Sequence, residues 1–355
     1  MPSYIGVNGK AKTIAKVYKG NSSGKAELIF GPKGIVRSSK EIENATRSHD
    51  SCSTVKDNAI FVSGNTIADT YDATLTKSTI TPLSDDRTQT TAESMVNYAL
   101  FAGGCRYGDN GFIWSAAVDS YNKSLTKQHP ADLRVKRMSM GSVYNGRYAI
   151  FAGGYTSMST FSSNIDAYGP TLSRVSVAAL YLSKGDVASS TAGDYFLFAG
   201  GRNASKTDNS VDMYNSDLTK MKTVRMNDSR AACGSGHAGK HAIFAGGYKD
   251  DASGYSSLAT AEAYNSNLIK IAVNNLNTAR AGIASETIGN YLILAGGDNN
   301  TDIDIYDSEL TKTVMNFSTT ASELLSTTVG KFALFGCGTQ DKNDSSEMSA
   351  YYLWE

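Results

Sequence analysis

The chain has 355 residues, 41% hydrophobic and 19% charged, enough to cover roughly three quarters of its unfolded surface in one large core. Thirty-four basic residues balance 34 acidic ones, which removes the long-range field that draws proteins to nucleic acid or to an anionic membrane. No apolar run approaches the roughly 18 residues of a membrane span. The opening segment MPSYIGVNGKAK lacks a signal-peptide core, so the expectation is synthesis in a cytoplasm without membrane insertion.

In chain order, residues 1–33 read as an N-terminal arm of hairpin-like β-motifs, in which YIGVNGKAKTI and VYKGNSSGKAELI are two copies of one pattern. Residues 34–46 (GIVRSSKEIENAT) have the register of an outer strand. Then seven apolar strands run into a glycine stop: AIFVSGN (59–65), YALFAGG (98–104), YAIFAGG (148–154), YFLFAGG (195–201), HAIFAGG (241–247), YLILAGG (291–297) and FALFGCG (332–338). Each is followed by a strand ending at Tyr71, Tyr121, Tyr168, Tyr214, Tyr264, Tyr306 or Tyr351, at spacings of 50, 47, 46, 50, 42 and 45 residues. A strand-filled period of this length is the signature of a propeller blade.

One unit shows how a blade is built. RMSMGSVYN (137–145) is a small-residue strand, YAIFAGG follows the Asn145-Gly146 turn, and IDAY (165–168) and RVSVAAL (174–180) complete four strands. The second strand is apolar on both faces because a neighbouring blade covers each side. The first strands are rich in Ala, Ser, Thr and Gly, as crowding about a central axis requires. The last repeat ends at its third strand, so residues 34–46 are expected to supply its fourth and close the ring, which removes two exposed sheet edges. The predicted fold is an all-β, seven-bladed propeller over residues 34–355, with four-stranded antiparallel blades.

These features resemble the Kelch-repeat propellers, the fold also found in galactose oxidase, with an apolar strand ending in Gly-Gly and a Tyr in the next. The usual Kelch Trp is replaced by Lys77, Lys127, Arg174, Lys220, Lys270 and Lys312, within a repeated YNxxLTK motif whose leucine looks inward. The pattern is similar to a divergent bacterial and prophage Kelch-like group. The resemblance implies a fold, a possible virion, phage-tail or cell-surface setting, and little chemistry.

Two sets of residues are candidates for ligand binding on the loop face. Arg47, Arg87, Arg137, Arg230 and Arg280 precede the innermost strands, and propeller symmetry would set them around one channel mouth, suited to carboxylates, phosphates or acidic sugars. The competing reading pairs each with the acid two residues before the Tyr: Asp69, Asp119, Asp166, Asp212, Glu262 or Asp304. The second set is Trp114, Tyr155 and Tyr248 in the variable loops after Gly-Gly, where aromatics suit sugar rings or a protein partner.

Signals for catalysis are poor. His237 and His241 flank a strand turn, four scattered cysteines (Cys52, Cys105, Cys233, Cys337) make no disulfide framework, and the acidic loops 298–304 and 341–347 lack the spacing of a calcium loop. No Gly-x-Ser-x-Gly, phosphate loop or HExxH occurs. The expectation is a monomeric binding propeller, without catalytic residues, metal or cofactor, that recognises a glycan or protein. The alternative is a sugar-active enzyme, such as a Kelch-type sialic-acid epimerase or a carbohydrate oxidase, working at the channel mouth with the arginines.

Overall fold

The computed structural model describes residues 34–354, apart from 39–41, 46–49, 110, 252–253, 322, 338, 341–342 and 345–347, together with four short strands before residue 31. Those early strands form two hairpins, Tyr4–Val7 with Lys10–Thr13 and Val17–Gly20 with Ala26–Phe30.

Seven four-stranded antiparallel sheets follow in chain order, each paired strictly as inner, second, third and outer strand. Blade 2 is representative: Thr91–Ser94, Tyr98–Ala102, Val118–Asn122 and Lys127–Gln128. The inner strands of the other blades are Ser51–Val55, Gly141–Tyr144, Ala188–Ala192, Gly234–Ala238, Ala284–Ile288 and Leu325–Val329. No helix occurs among the described residues.

The alternation of each second strand divides its side chains between two interfaces. In blade 2, Ala99 and Phe101 pack with Ile60 and Val62 of blade 1, while Leu100 and Ala102 pack with Ala149 and Phe151 of blade 3. Seven apolar clusters arise this way, one at each blade–blade junction. The cluster of Phe61, Tyr71, Val329 and Leu334 joins the last blade to the first and completes the circle. Each repeat tyrosine is buried here, edge-on to the phenylalanine of its own second strand in Phe61–Tyr71, Phe101–Tyr121 and Phe151–Tyr168. The hydroxyls of Tyr71, Tyr121, Tyr168, Tyr214 and Tyr306 donate to the chain entering the blade, as Tyr121 does to the Thr81 carbonyl at 2.8 Å and Tyr168 to that of Ala131 at 2.8 Å, whereas those of Tyr264 and Tyr351 meet no partner among the described residues.

The Gly-Gly pair has a steric cause. Gly103 lies at φ +63°, where a Cβ would sit 2.1 Å from the Arg137 carbonyl of the next blade. The Gly104 N–H donates to that same carbonyl at 2.9 Å. The glycines therefore seat the linker that carries the next arginine.

The YNxxLTK motif is a tight turn. The Asn215 side chain accepts from the N–H groups of Asp217 at 3.1 Å and Thr219 at 2.9 Å, and Leu218 turns back at φ +66° onto the blade 3–4 cluster. Leu75, Leu218 and Leu268 are buried as read from the sequence, whereas Leu125, Leu172 and Leu310 are half-buried.

Closure of the ring occurs at the predicted place but over a shorter stretch. Gly34–Arg37, not residues 34–46, pairs with Met348–Trp354 as the outer strand of blade 7. Arg37 stands opposite Tyr351 just as Lys127 stands opposite Tyr121. The outer strand of blade 3 is likewise short, Arg174–Ser176. Deleting residues 1–37 would strip the partner from Met348–Trp354 and leave a bare sheet edge. The expected result is a lower melting temperature and concentration-dependent association in light scattering. A truncated monomer that melts like the full chain would contradict this closure.

Candidate functional site

The inner strands line the axis, and hydroxyls stitch them into a closed circle. Ser142 donates to the Ala92 carbonyl at 2.9 Å, Ser189 to that of Ser142, and Ser326 to that of Ser285 at 2.9 Å. The Ser235 N–H reaches the Ser285 hydroxyl at 3.0 Å, and the Cys52 thiol reaches the Ser326 carbonyl at 3.1 Å. Ser53 and Ser94 meet at 3.1 Å, closing the junction of blades 1 and 2. The small-residue composition of these strands thus serves crowding and inter-blade bonding together.

This waist of Cys52, Ala92, Ser142, Ser189, Ser235, Ser285 and Ser326 borders two cavities, one of 420 Å³ and one of 360 Å³. Glu93 and Glu286 line the 360 Å³ cavity. Burial pushes the Glu93 carboxyl up to about 7, against the pull of the Ser94 N–H and the Ser142 hydroxyl. Burial pushes Glu286 up to about 8, with the Glu93 charge adding to it against the Thr287 N–H.

The 420 Å³ cavity opens at the loop face. Inner and second strands are antiparallel, with Thr91 opposite Ala102, so the linker entering a blade and the loop after Gly-Gly share one end of it. Asp186 lies in the lining of this mouth, at φ +52°.

The arginines do not ring that mouth. Arg87, Arg137, Arg230 and Arg280 are 0–1% exposed, and each is turned into its own blade. Arg137 donates to the carbonyls of Gly153 at 2.7 Å and Asn164 at 2.5 Å, and to the Asp166 carboxylate at 2.7 Å. Arg87 pairs with Asp119 and Arg280 with Asp304, both at 2.8 Å, and Arg230 lies 3.7 Å from Glu262. Lys184 bonds Asp208 at 3.0 Å in the same way. Burial lowers Arg87 and Arg137, while Asp119 and Asp166 respectively raise them. Both guanidiniums stay charged at neutral pH. Arg47 lies outside the described residues.

The lysine that ends the YNxxLTK motif completes this device from the outer strand. Lys220 reaches Asp212 at 2.8 Å, Lys270 reaches Glu262 at 2.6 Å and Lys312 reaches Asp304 at 3.1 Å. In blade 2 His129 takes that place, 2.8 Å from Asp119. Blade 7 has Ala321 and Ser349 at the arginine and acid positions, so the two charges disappear together. The arginine–acid pair is therefore architecture, and the expectation of a cationic mouth is corrected by burial.

What the mouth offers is an arc of side chains across blades 3 to 5. Tyr155, Arg202 and Tyr248 each immediately follow the Gly-Gly of their blade. Tyr155 reaches across to blade 4, where its hydroxyl donates to Asp186 at 2.6 Å. Its ring lies over Gly185, where a Cβ would sit 2.4 Å away, so this crossing requires glycine. The Arg202 guanidinium stands 5.9 Å over the Tyr255 ring, and Tyr255 meets Tyr248 edge-on at 5.4 Å. Arg202 Nε is shielded from solvent without a hydrogen-bond partner among the described residues, while Tyr255 is 65% exposed. Burial raises the Asp186 carboxyl above its ordinary value, against the Tyr155 hydroxyl and the Arg202 charge.

Trp114 lies away from this arc, on blade 2, at the base of the hairpin Cys105–Gly108 with Gly111–Trp114. The chain is similar in fold to YjhT, a solved structure with a TM-score of 0.60 at 16% identity, covering 78% of this chain and 99% of that chain. The likeness is one of fold. No protein-family model matches the sequence, and no curated protein does.

Of the residues singled out from sequence, the structure sets Tyr155 and Tyr248 in one arc, buries the four described arginines and puts Trp114 in a separate groove. Sequence reading missed Arg202 and Asp186. Arg202 had a signal, since it occupies the same post-Gly-Gly position as Tyr155 and Tyr248. Among the described residues no group of three or more His, Cys, Asp or Glu is placed to hold a metal.

Proposed function

We propose that this protein is a Kelch-like recognition propeller that binds a glycan or protein ligand, without turnover, on its loop face. The observation that carries the reading is the arc Tyr155–Asp186–Arg202–Tyr248–Tyr255 beside the mouth. It joins aromatic faces, one guanidinium and one carboxylate, on loops fixed by a rigid ring. Such a mixture stacks on apolar ligand faces and both donates and accepts hydrogen bonds. The divergent repeat pattern supports a bacterial or prophage surface role for a monomeric module. The sugar-active enzyme alternative drew its chemistry from the arginines, and their burial takes that machinery away.

A printed glycan array tests the reading. Wild-type protein is expected to give a defined set of positive saccharides. Tyr248→Ala and Arg202→Ala are each expected to lose about tenfold or more in affinity, as for a hot-spot residue, with the melting curve unchanged. Full binding by both variants would overturn the site.

A further inference from the structure

We propose that the groove beneath the blade 2 hairpin is a second, separate ligand site, built for a single neutral sugar ring. The groove has a volume of 490 Å³, within the range of small-molecule sites. Asn65, Asp86, Arg106, Ile113 and Trp114 line it. It runs between the end of blade 1's second strand and the hairpin of blade 2.

Three of its features point to a hydroxylated, uncharged ligand. First, the Trp114 indole N–H is shielded from solvent and meets no acceptor among the described residues, although buried indole N–H groups ordinarily find one. A sugar hydroxyl or ring oxygen supplies it.

Second, the charges at the groove are balanced. Arg87 and Asp85, which also line the groove, form an ion pair and offset one another, Arg87 bonds Asp119 at 2.8 Å, and Ser115 donates to Asp85 at 3.3 Å. This leaves Asp86 and Arg106, one carboxylate and one guanidinium, beside the Asn65 amide. None of these three makes a side-chain hydrogen bond or ion pair among the described residues. That set accepts from hydroxyls and donates to them with no net charge, so it favours neither a polyanion nor a polycation.

Third, the carboxylate has been given room. Asp86 Oδ1 lies where a Cβ on Gly64 would be 2.6 Å away, so the glycine stop of blade 1 makes space for it. On the hairpin, Phe112 packs 5.9 Å from Trp114 and 5.4 Å from Tyr107, and both Phe112 and Tyr107 are exposed. These rings extend an apolar platform beyond the polar groove.

Nothing in this argument uses the arc on blades 3 to 5, so either site stands or falls alone. If both hold, one face presents two weak sites and gains affinity for a repeating glycan through avidity.

The test reads Trp114 directly. The chain has two tryptophans, and Trp354→Phe leaves Trp114 as the sole indole reporter. That protein is titrated with methyl glycosides of glucose, galactose, mannose and N-acetylglucosamine. The expected result is a saturable fluorescence shift with at least one of them, with Kd on the order of 1 mM, the range a single sugar ring reaches. Asp86→Ala and Asn65→Ala in that background should each weaken it about tenfold, and Tyr248→Ala should leave it unchanged. The inference is overturned if no glycoside gives a saturable shift up to about 100 mM. It is equally overturned if both groove variants, checked as folded by their melting curves, titrate like the parent. Loss of array binding in Tyr248→Ala with the fluorescence titration intact would separate the two sites.

Discussion

Arg137→Ala is expected to destabilise the propeller by about 3–5 kcal/mol, because it leaves a buried carboxylate and several carbonyls without their principal cation. Arg137 and Asp166 are both 0% exposed and meet at 2.7 Å. Arg134 at 2.8 Å and Arg174 at 3.9 Å are the remaining cations near Asp166, and both are partly solvent-exposed. They soften the loss without replacing the bonds that Arg137 makes to the carbonyls of Phe151, Gly153 and Asn164. The Gly103 contact with the Arg137 carbonyl extends the damage to the blade 2–3 junction. A denaturant midpoint for Arg137→Ala close to wild type would refute this. The folded fraction of the variant should keep its ligand affinity, since the guanidinium has no path to the mouth.

The second large effect depends on pH. The folded-state carboxyl of Glu286 is raised from 4.5 to about 8. Between those values the unfolded chain gives up a proton that the native state keeps. Stability contributed by this site is therefore fully present below about pH 4.5 and falls as pH rises toward 8. Linkage converts a shift of this size into several kcal/mol. Glu286 is only half-buried, so solvent screening reduces it, and about 2 kcal/mol is a reasonable expectation. Glu286→Gln removes the proton-linked term, so it should melt higher than wild type at about pH 8.5 and near wild type at about pH 5. Glu93→Gln should act in the same direction, partly by removing the charge that raises Glu286. A Glu286→Gln protein that is less stable at the higher pH would mean that the ionised carboxylate is held by favourable contacts.

The blade count was legible because its cause is local and repeated. Each second strand needs apolar faces on both sides, each must stop at a residue able to take positive φ, and Gly103 and Gly104 show why. Closure was legible from the missing fourth strand of the last repeat, though not the length of the closing strand, which is Gly34–Arg37 with one further bond from the Ser38 N–H to the Ala350 carbonyl. The arginines were not legible. A residue four positions upstream of an inner strand gives no indication whether its side chain turns to the axis or into the sheet. The answer lies in partners 24–32 residues away, such as Asp304 for Arg280 and Asp119 for Arg87. Glu93 and Glu286 were hidden inside strands notable for their small residues. Tyr155 stood out as an aromatic, but its bond to Asp186 depends on Gly185 in the next repeat, a coupling visible only once blades 3 and 4 lie side by side.

Hydrogen–deuterium exchange of the intact protein, with and without a saccharide identified on the array, tests most directly where this ring receives its ligand. Protection is expected in peptides spanning 153–161, 184–188, 200–207 and 246–257, the loops that carry Tyr155, Asp186, Arg202, Tyr248 and Tyr255. Protection confined to the opposite end, at the turns 72–77, 145–146 and 215–220, would show that the ligand is taken on the other face and would contradict the account.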